Sequence, residues 1–186
     1  MNWLDFAGAG MSLVCTYYFT QAKRLAWLLG MIAVLLNGLL YWSTGIYGAL
    51  LLEIVLLFTM IYGWYHWSEN KKALPIRSLT FNEGIAYGFI VVLTTWIMAQ
   101  GLMLWTDSEI PYWDATVTTL GLMAQWLLCL KIIHCWILWF IVDALAASLQ
   151  LYKGIPFHSA MQCLYLILAV VGYLRWRKLT PVASLA

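Results

Sequence analysis

The run Cys135-Trp-Ile-Leu-Trp-Phe-Ile-Val-Asp143 sits inside a long apolar stretch and holds three residues foreign to a plain lipid-facing helix. At about 100° per residue, positions i, i+3 and i+7 fall on one stripe of an α-helix. Trp136, Trp139 and Asp143 have that spacing, so two indoles and one carboxylate share a face. A carboxylate in mid-membrane costs roughly 2.5–3.5 kcal/mol on insertion scales, so it normally turns inward and is paired. Aromatic faces beside one negative charge suit a flat, positively charged ring.

The rest of the chain puts that stretch in a membrane. Of 186 residues, 64% are hydrophobic and only 10% charged, against about 25% charged in an ordinary soluble domain. The apolar residues come in runs of about 17–25, the length that crosses a hydrocarbon core. The expectation is an all-α integral membrane protein. A formal charge of +2 is too small to suggest a nucleic-acid partner. Cys15, Cys129, Cys135 and Cys163 all lie in apolar runs without a C-x-x-C pair, and read as small buried side chains. Trp3, Trp42, Trp67, Trp113 and Trp176 lie near helix ends and read as an interfacial aromatic belt. No nucleophile–base pair, phosphate loop or dinucleotide glycine pattern is present, so neither an enzyme nor a cofactor is indicated. His66, His134 and His158 are too scattered for a metal site. His134, just before Trp136, is a candidate pH sensor.

Seven spans are expected, at about 6–22, 25–42, 46–67, 85–105, 115–130, 132–151 and 155–174. With the N-terminus outside and the C-terminus inside, nine of the ten basic residues fall on the inner side, and Asp107, Glu109 and Asp114 fall outside. That is the distribution the positive-inside rule describes. The polar stretch Ser68 to Glu83 is the one long linker.

A shift of 109 positions aligns the first three spans with the last three. Asp5 meets Asp114, Trp27 meets Trp136, Gly45-Ile46 meets Gly154-Ile155, Gly63 meets Gly172 and Trp67 meets Trp176. These matches fall at turns and helix ends, where residue identity is constrained. Two three-span units with one span between them run parallel, a 3+1+3 order. Residues 1–67 are then the first repeat, 68–107 a cytoplasmic loop with linker helix, 108–178 the second repeat and 179–186 a cytoplasmic tail. Transporters often place a substrate site between such repeats near the midplane. Glu53 meets Gln162 across the repeat, while Asn37 meets Ala146 and Asp143 meets Val34. The candidate site is Trp136, Trp139, Asp143, Glu53, Asn37 and Gln162, suited to a ligand with one cationic and one hydroxyl-bearing end.

The W-x-x-W-x-x-x-D pattern at Trp136, Trp139 and Asp143 resembles the signature of Pnu-type vitamin transporters. So do Ile61 to Trp67, Trp113-Asp114 and Gly172 to Trp176, and the likeness covers about residues 5–178. The resemblance implies a SWEET-like seven-helix fold in a bacterial inner membrane, with homo-oligomers that are often trimers. It implies uptake of an unphosphorylated vitamin by facilitated diffusion, with trapping by a cytoplasmic kinase. Nicotinamide riboside is favoured, and thiamine is the alternative. Riboflavin, being neutral, suits the carboxylates less well. Many riboside transporters carry Asn at the position of Asp143, an amide near Glu53 and Glu at His134. A SWEET-like neutral-solute carrier and a non-transporting membrane scaffold are the readings from other classes.

Overall fold

A computed structural model describes residues 3–44, 47–67, 75–106, 110–152 and 156–180. They form seven α-helices: α1 (Trp3–Thr20), α2 (Leu25–Thr44), α3 (Tyr47–His66), α4 (Phe81–Trp105), α5 (Pro111–Cys129), α6 (Cys135–Tyr152) and α7 (Pro156–Leu179). The shortest has 18 residues and the longest 25, or about 27–37 Å at 1.5 Å per residue, enough to cross about 30 Å of hydrocarbon. Leu25–Ser43 and Phe81–Trp105 are each long and apolar enough to do so on composition alone. Large side chains such as Phe58, Phe89, Val92 and Leu104 are at least 68% exposed on the outside of the bundle. Such an apolar exterior belongs against lipid rather than water.

The helix starts follow local chemistry. Thr80 caps α4 through a capping box with Glu83, which moves its start upstream of the expected residue 85. Glu83 also takes a bidentate ion pair from Arg77 at 2.7 and 2.8 Å. That guanidinium and the Thr80 backbone hold its carboxyl down at about 2. Pro111 opens α5, where its missing N–H costs nothing, and Asp114 lies in the first turn. α7 runs on to Leu179, beyond the expected end at 174, with Arg177 and Lys178 in its last turn. The expected boundary pairs at Gly45 and Gly154, the acidic residues Asp107 and Glu109, and the tail from 181 lie outside the described residues.

Two turns are built alike. Between α1 and α2, Ala22 N–H donates to Phe19 O, Lys23 to Tyr18 O, Ala26 to Lys23 O and Trp27 to Arg24 O. Between α5 and α6, Lys131 donates to Leu128 O, Ile132 to Leu127 O, Cys135 to Ile132 O and Trp136 to Ile133 O. Each bond is matched 109 positions on. Among the described residues, Ala22 (φ 53°) and Lys131 (φ 52°) are the two non-glycine residues with positive φ, and they too are 109 apart. Neither position carries the glycine that a left-handed residue usually prefers. The second turn delays α6 to Cys135, so Ile132, expected inside the sixth span, is a buried turn residue.

The same spacing governs the core. A Cβ on Gly63 would overlap the Trp27 indole, and one on Gly172 would overlap the Trp136 indole. Trp67 and Trp176, expected at the membrane interface, are instead 4% and 0% exposed. Trp67 Nε1–H donates to Cys129 O at 2.9 Å and Trp176 Nε1–H to Phe19 O at 3.0 Å. The C-terminal ends of α1, α3, α5 and α7 therefore meet at one end of the bundle. Trp42 and Trp113 are exposed, as a belt requires. Cys15, Cys129 and Cys135 are buried as expected, while Cys163 is exposed.

The linker is not free. Arg77 pairs in parallel with the α5–α6 turn, its N–H on Lys131 O at 3.1 Å and its carbonyl taking Ile133 N–H at 3.0 Å. Leu79 N–H donates to His134 Nδ1 at 3.2 Å, which requires that nitrogen to be unprotonated. Burial shifts His134 in the same direction, below its usual 6.5.

Ala at Gly63 or Gly172 should lower thermal stability in detergent by about 1–3 kcal/mol, the cost of overpacking. Gly88→Ala, where nothing lies within 4 Å, should be neutral or stabilising by up to about 1 kcal/mol. Because the His134 pKa is depressed, the stability it gives the strap is complete above about pH 6.5 and is lost as pH falls through the lower folded value. The hydrogen-exchange protection factor of the Leu79 amide should fall over that window, and should not do so in His134→Gln.

Candidate substrate cavity

The six expected site residues come from four helices: Asn37 on α2, Glu53 on α3, Trp136, Trp139 and Asp143 on α6, and Gln162 on α7. All six line one cavity of about 340 Å³, near the lower end of the roughly 300–1,000 Å³ typical of ligand pockets. α1 and α5 close its remaining walls, and α4 contributes no lining residue. The cavity thus lies between α1–α3 and α5–α7.

The two tryptophans have different positions. Trp136 is 2% exposed, lies face-on against Gly172 and meets Trp176 edge-on at 5.6 Å. Its ring is committed chiefly to the core, and it closes the cavity floor together with Phe19 and Leu128. Trp139, one turn further on, is only partly buried and keeps a ring surface toward the cavity. Asp143 lines the same space at 7% exposure. The stripe read from the sequence is present along one cavity wall, with Trp136 the more deeply buried of the two rings.

Glu53 is 9% exposed and lines both this cavity and a second, more open groove between α2 and α3. Asn37 donates to it, and its other oxygen, Oε2, has no partner among the described residues. Asn37 in turn is pressed against Gly8, where a Cβ would collide with its amide oxygen. Gln162 lines the wall opposite in the repeat register. None of the lining residues is Lys, Arg or His.

The sequence reading missed Tyr165, Ser12 and Gln125. Tyr165 and Ser12 are hydrogen-bonded to each other at the cavity wall. Gln125 is 3% exposed, and its amide donates to the Met60 sulfur at 3.7 Å. The repeat carried the missing signal. Leu56 and Tyr165, Thr16 and Gln125, Gly30 and Trp139, and Met60 and Ala169 all line the cavity as pairs 109 apart. His134 lies outside the cavity, in the strap described above.

A bundle of long apolar helices closed around an internal, mainly apolar cavity with a few polar groups fits a small-solute transporter. The chain belongs to the nicotinamide mononucleotide transporter family, whose sequence model matches residues 2–178. It is similar to the nicotinamide riboside transporter PnuC of Escherichia coli K12, 24% identical over 200 residues that cover 92% of this chain and 82% of that protein. The PnuC of Neisseria mucosa is 23% identical over 199 residues, covering 96% and 73%. Among solved structures, the crystal structure of the vitamin B3 transporter PnuC shares the fold, with a TM-score of 0.77 at 24% identity. That match covers 95% of this chain and 81% of the solved one.

A Cβ at Gly30 would meet the Met60 sulfur and methyl, the movable end of a flexible side chain. Gly30→Ala should therefore change stability in thermal unfolding by less than about 1 kcal/mol, the helix preference of Ala offsetting the shift of Met60.

Proposed function

We propose that the protein takes up an unphosphorylated cationic aromatic vitamin, nicotinamide riboside in the first place, across the bacterial inner membrane. Movement is by facilitated diffusion, and a cytoplasmic kinase traps the product. The observation that carries this reading is the charge of the cavity: two buried carboxylates, Glu53 and Asp143, and no basic residue in its walls among the described residues. A phosphate group would find no Arg or Lys there and would meet two like charges. A pyridinium ring would find a carboxylate and the Trp139 face, and ribose hydroxyls would find Asn37, Glu53 and Gln162. The riboside therefore suits the site and the mononucleotide does not.

The same reading takes α1–α3 and α5–α7 as parallel repeats joined by α4, with the N-terminus outside. The matched turns, the matched indole–glycine contacts and the common end of α1, α3, α5 and α7 support it. Arg24 over Trp64, Lys131 over Trp67 and Arg175 bonded to Thr20 all lie at that end, which supports its being cytoplasmic. Assembly into a homotrimer belongs to this reading too. α4, whose one buried residue is Ala99, has the apolar surface to contribute.

Calorimetry on purified protein should show nicotinamide riboside binding at micromolar concentrations and no competition from nicotinamide mononucleotide. Trp139→Ala should weaken binding about 10–30-fold, the worth of a desolvated cation–π contact, and Asp143→Ala by at least as much. Binding of thiamine in place of the riboside would move the substrate within the family. Tight binding of the mononucleotide, or equal binding of neutral sugars, would overturn the charge argument.

A further inference from the structure

Glu53 stands between two spaces. It lines the internal cavity, and it also lines the groove between α2 and α3, whose walls include Leu35, Leu39 and Trp42. Those three are 54%, 59% and 66% exposed on the outside of the bundle. A carboxyl placed there has an apolar exterior on one side and a partly polar chamber on the other. The hydrogen bond from Asn37 chooses between them. Asn37 lines the cavity and not the groove, so a carboxyl bonded to its amide is tied toward the cavity.

Asn37 is itself held by α1. Gly8 is buried against it, and a Cβ on Gly8 would overlap the Asn37 amide oxygen and lie 3.3 Å from its Cγ. No backbone atom of α2 comes nearer to that Cβ than 3.9 Å. Small residues in membrane helices usually let two backbones approach, whereas here the vacant space is filled by a side-chain amide. With its oxygen seated on Gly8, the amide turns its N–H donors to Glu53.

The second half has the same pair of positions with the sizes exchanged. Gly8 and Asn37 stand 109 positions before Val117 and Ala146, which line the cavity on α5 and α6. A Cβ on Gly121 would meet Val142 at 3.9 Å, one turn along each helix, which sets Val117 opposite Ala146. The first half is small on α1 and large on α2, and the second is large on α5 and small on α6. The shared volume is kept, and the amide is confined to the half that carries Glu53.

We propose that Gly8 and Asn37 are positioning residues for ribose recognition: the bare surface of Gly8 seats the Asn37 amide, the amide holds the Glu53 carboxyl on the cavity side, and that carboxyl accepts the ribose hydroxyls. This deepens the nicotinamide riboside reading and rests on it. Glu53 touches the sugar, and Gly8 acts only through Asn37.

Calorimetry on the full-length protein compares nicotinamide riboside with the N-methylnicotinamide cation, the same ring with a methyl group in place of ribose. Gly8→Ala should weaken riboside binding about tenfold, as loss of a hydrogen bond to a charged group does, and should change binding of the methyl compound less than about twofold. Asn37→Ala should weaken the riboside to a similar degree. Gly8→Val combined with Asn37→Ala installs the pair found in the second half. It should recover the unfolding temperature that Gly8→Ala loses, and bind the riboside no more weakly than Asn37→Ala alone. Gly10→Ala, where nothing lies within 4 Å, should bind both cations as the wild type does. Unchanged riboside binding in Gly8→Ala, equal losses for the two cations, or losses that add in the double variant overturn the positioning role and leave the vitamin reading standing. An unfolding temperature not recovered in the double variant overturns the Gly8–Asn37 contact. Failure of the wild type to bind either cation overturns the vitamin reading and the role in ribose recognition with it.

Discussion

Indole on glycine is the contact from which the rest of the structure follows. Gly63 and Gly172 have no side chain because the Trp27 and Trp136 rings occupy that space. Aromatic side chains carry the largest apolar area of any residue, and in a bilayer helix association depends on such close packing more than on water exclusion. Each ring locks the first turn of one helix against the last turns of the next. Trp67 and Trp176 then carry the packing across to the other half, each through an indole N–H on a helix-end carbonyl. The Cys129 carbonyl would otherwise be among the unpaired groups that every helix terminus leaves, while the Phe19 carbonyl also accepts from Ala22 N–H. One aromatic cluster thus fixes helix spacing, satisfies backbone and seals one end of the cavity.

Hydrophobic run length made the seven helices legible, and the 109-residue register made their pairing legible. That the six candidate residues would line one cavity was also readable, because a polar side chain in an apolar run has few places to go other than inward. Tertiary pairing was not readable. Nothing in the periodicity of residues 75–80 announces that Arg77 and Leu79 will bond to the α5–α6 turn, since a single bridge has no sequence period. Lys131 occupies a left-handed position without the glycine that would have marked it. Trp67 and Trp176 looked like interface anchors because position along the chain places a residue near a helix end but does not say which way it faces. The division of labour between Trp136 and Trp139 was hidden for a related reason. A helical stripe says that two rings share a face, while only the glycine opposite says which ring is already covered.

The frame is symmetric and its chemistry is not. Across the repeat register, Asp143 stands opposite Val34, Trp139 opposite Gly30, Tyr165 opposite Leu56 and Asn37 opposite Ala146, all on the wall of one cavity. A fully symmetric cavity would present the same groups at both ends and would suit a symmetric solute. Here α6 and α7 hold the ring, the acid and the phenol, while α2 and α3 hold Asn37 and Glu53. A nucleoside has that polarity: a flat charged base at one end and hydroxyls at the other. The turn hydrogen bonds inside each half recur 109 residues on, while side chains at matched positions along the cavity differ. On the proposed function, selectivity resides in differences between equivalent positions. Restoring symmetry at one pair, such as Val34 with Asp143, would change what the cavity accepts while leaving the indole–glycine contacts that build it untouched.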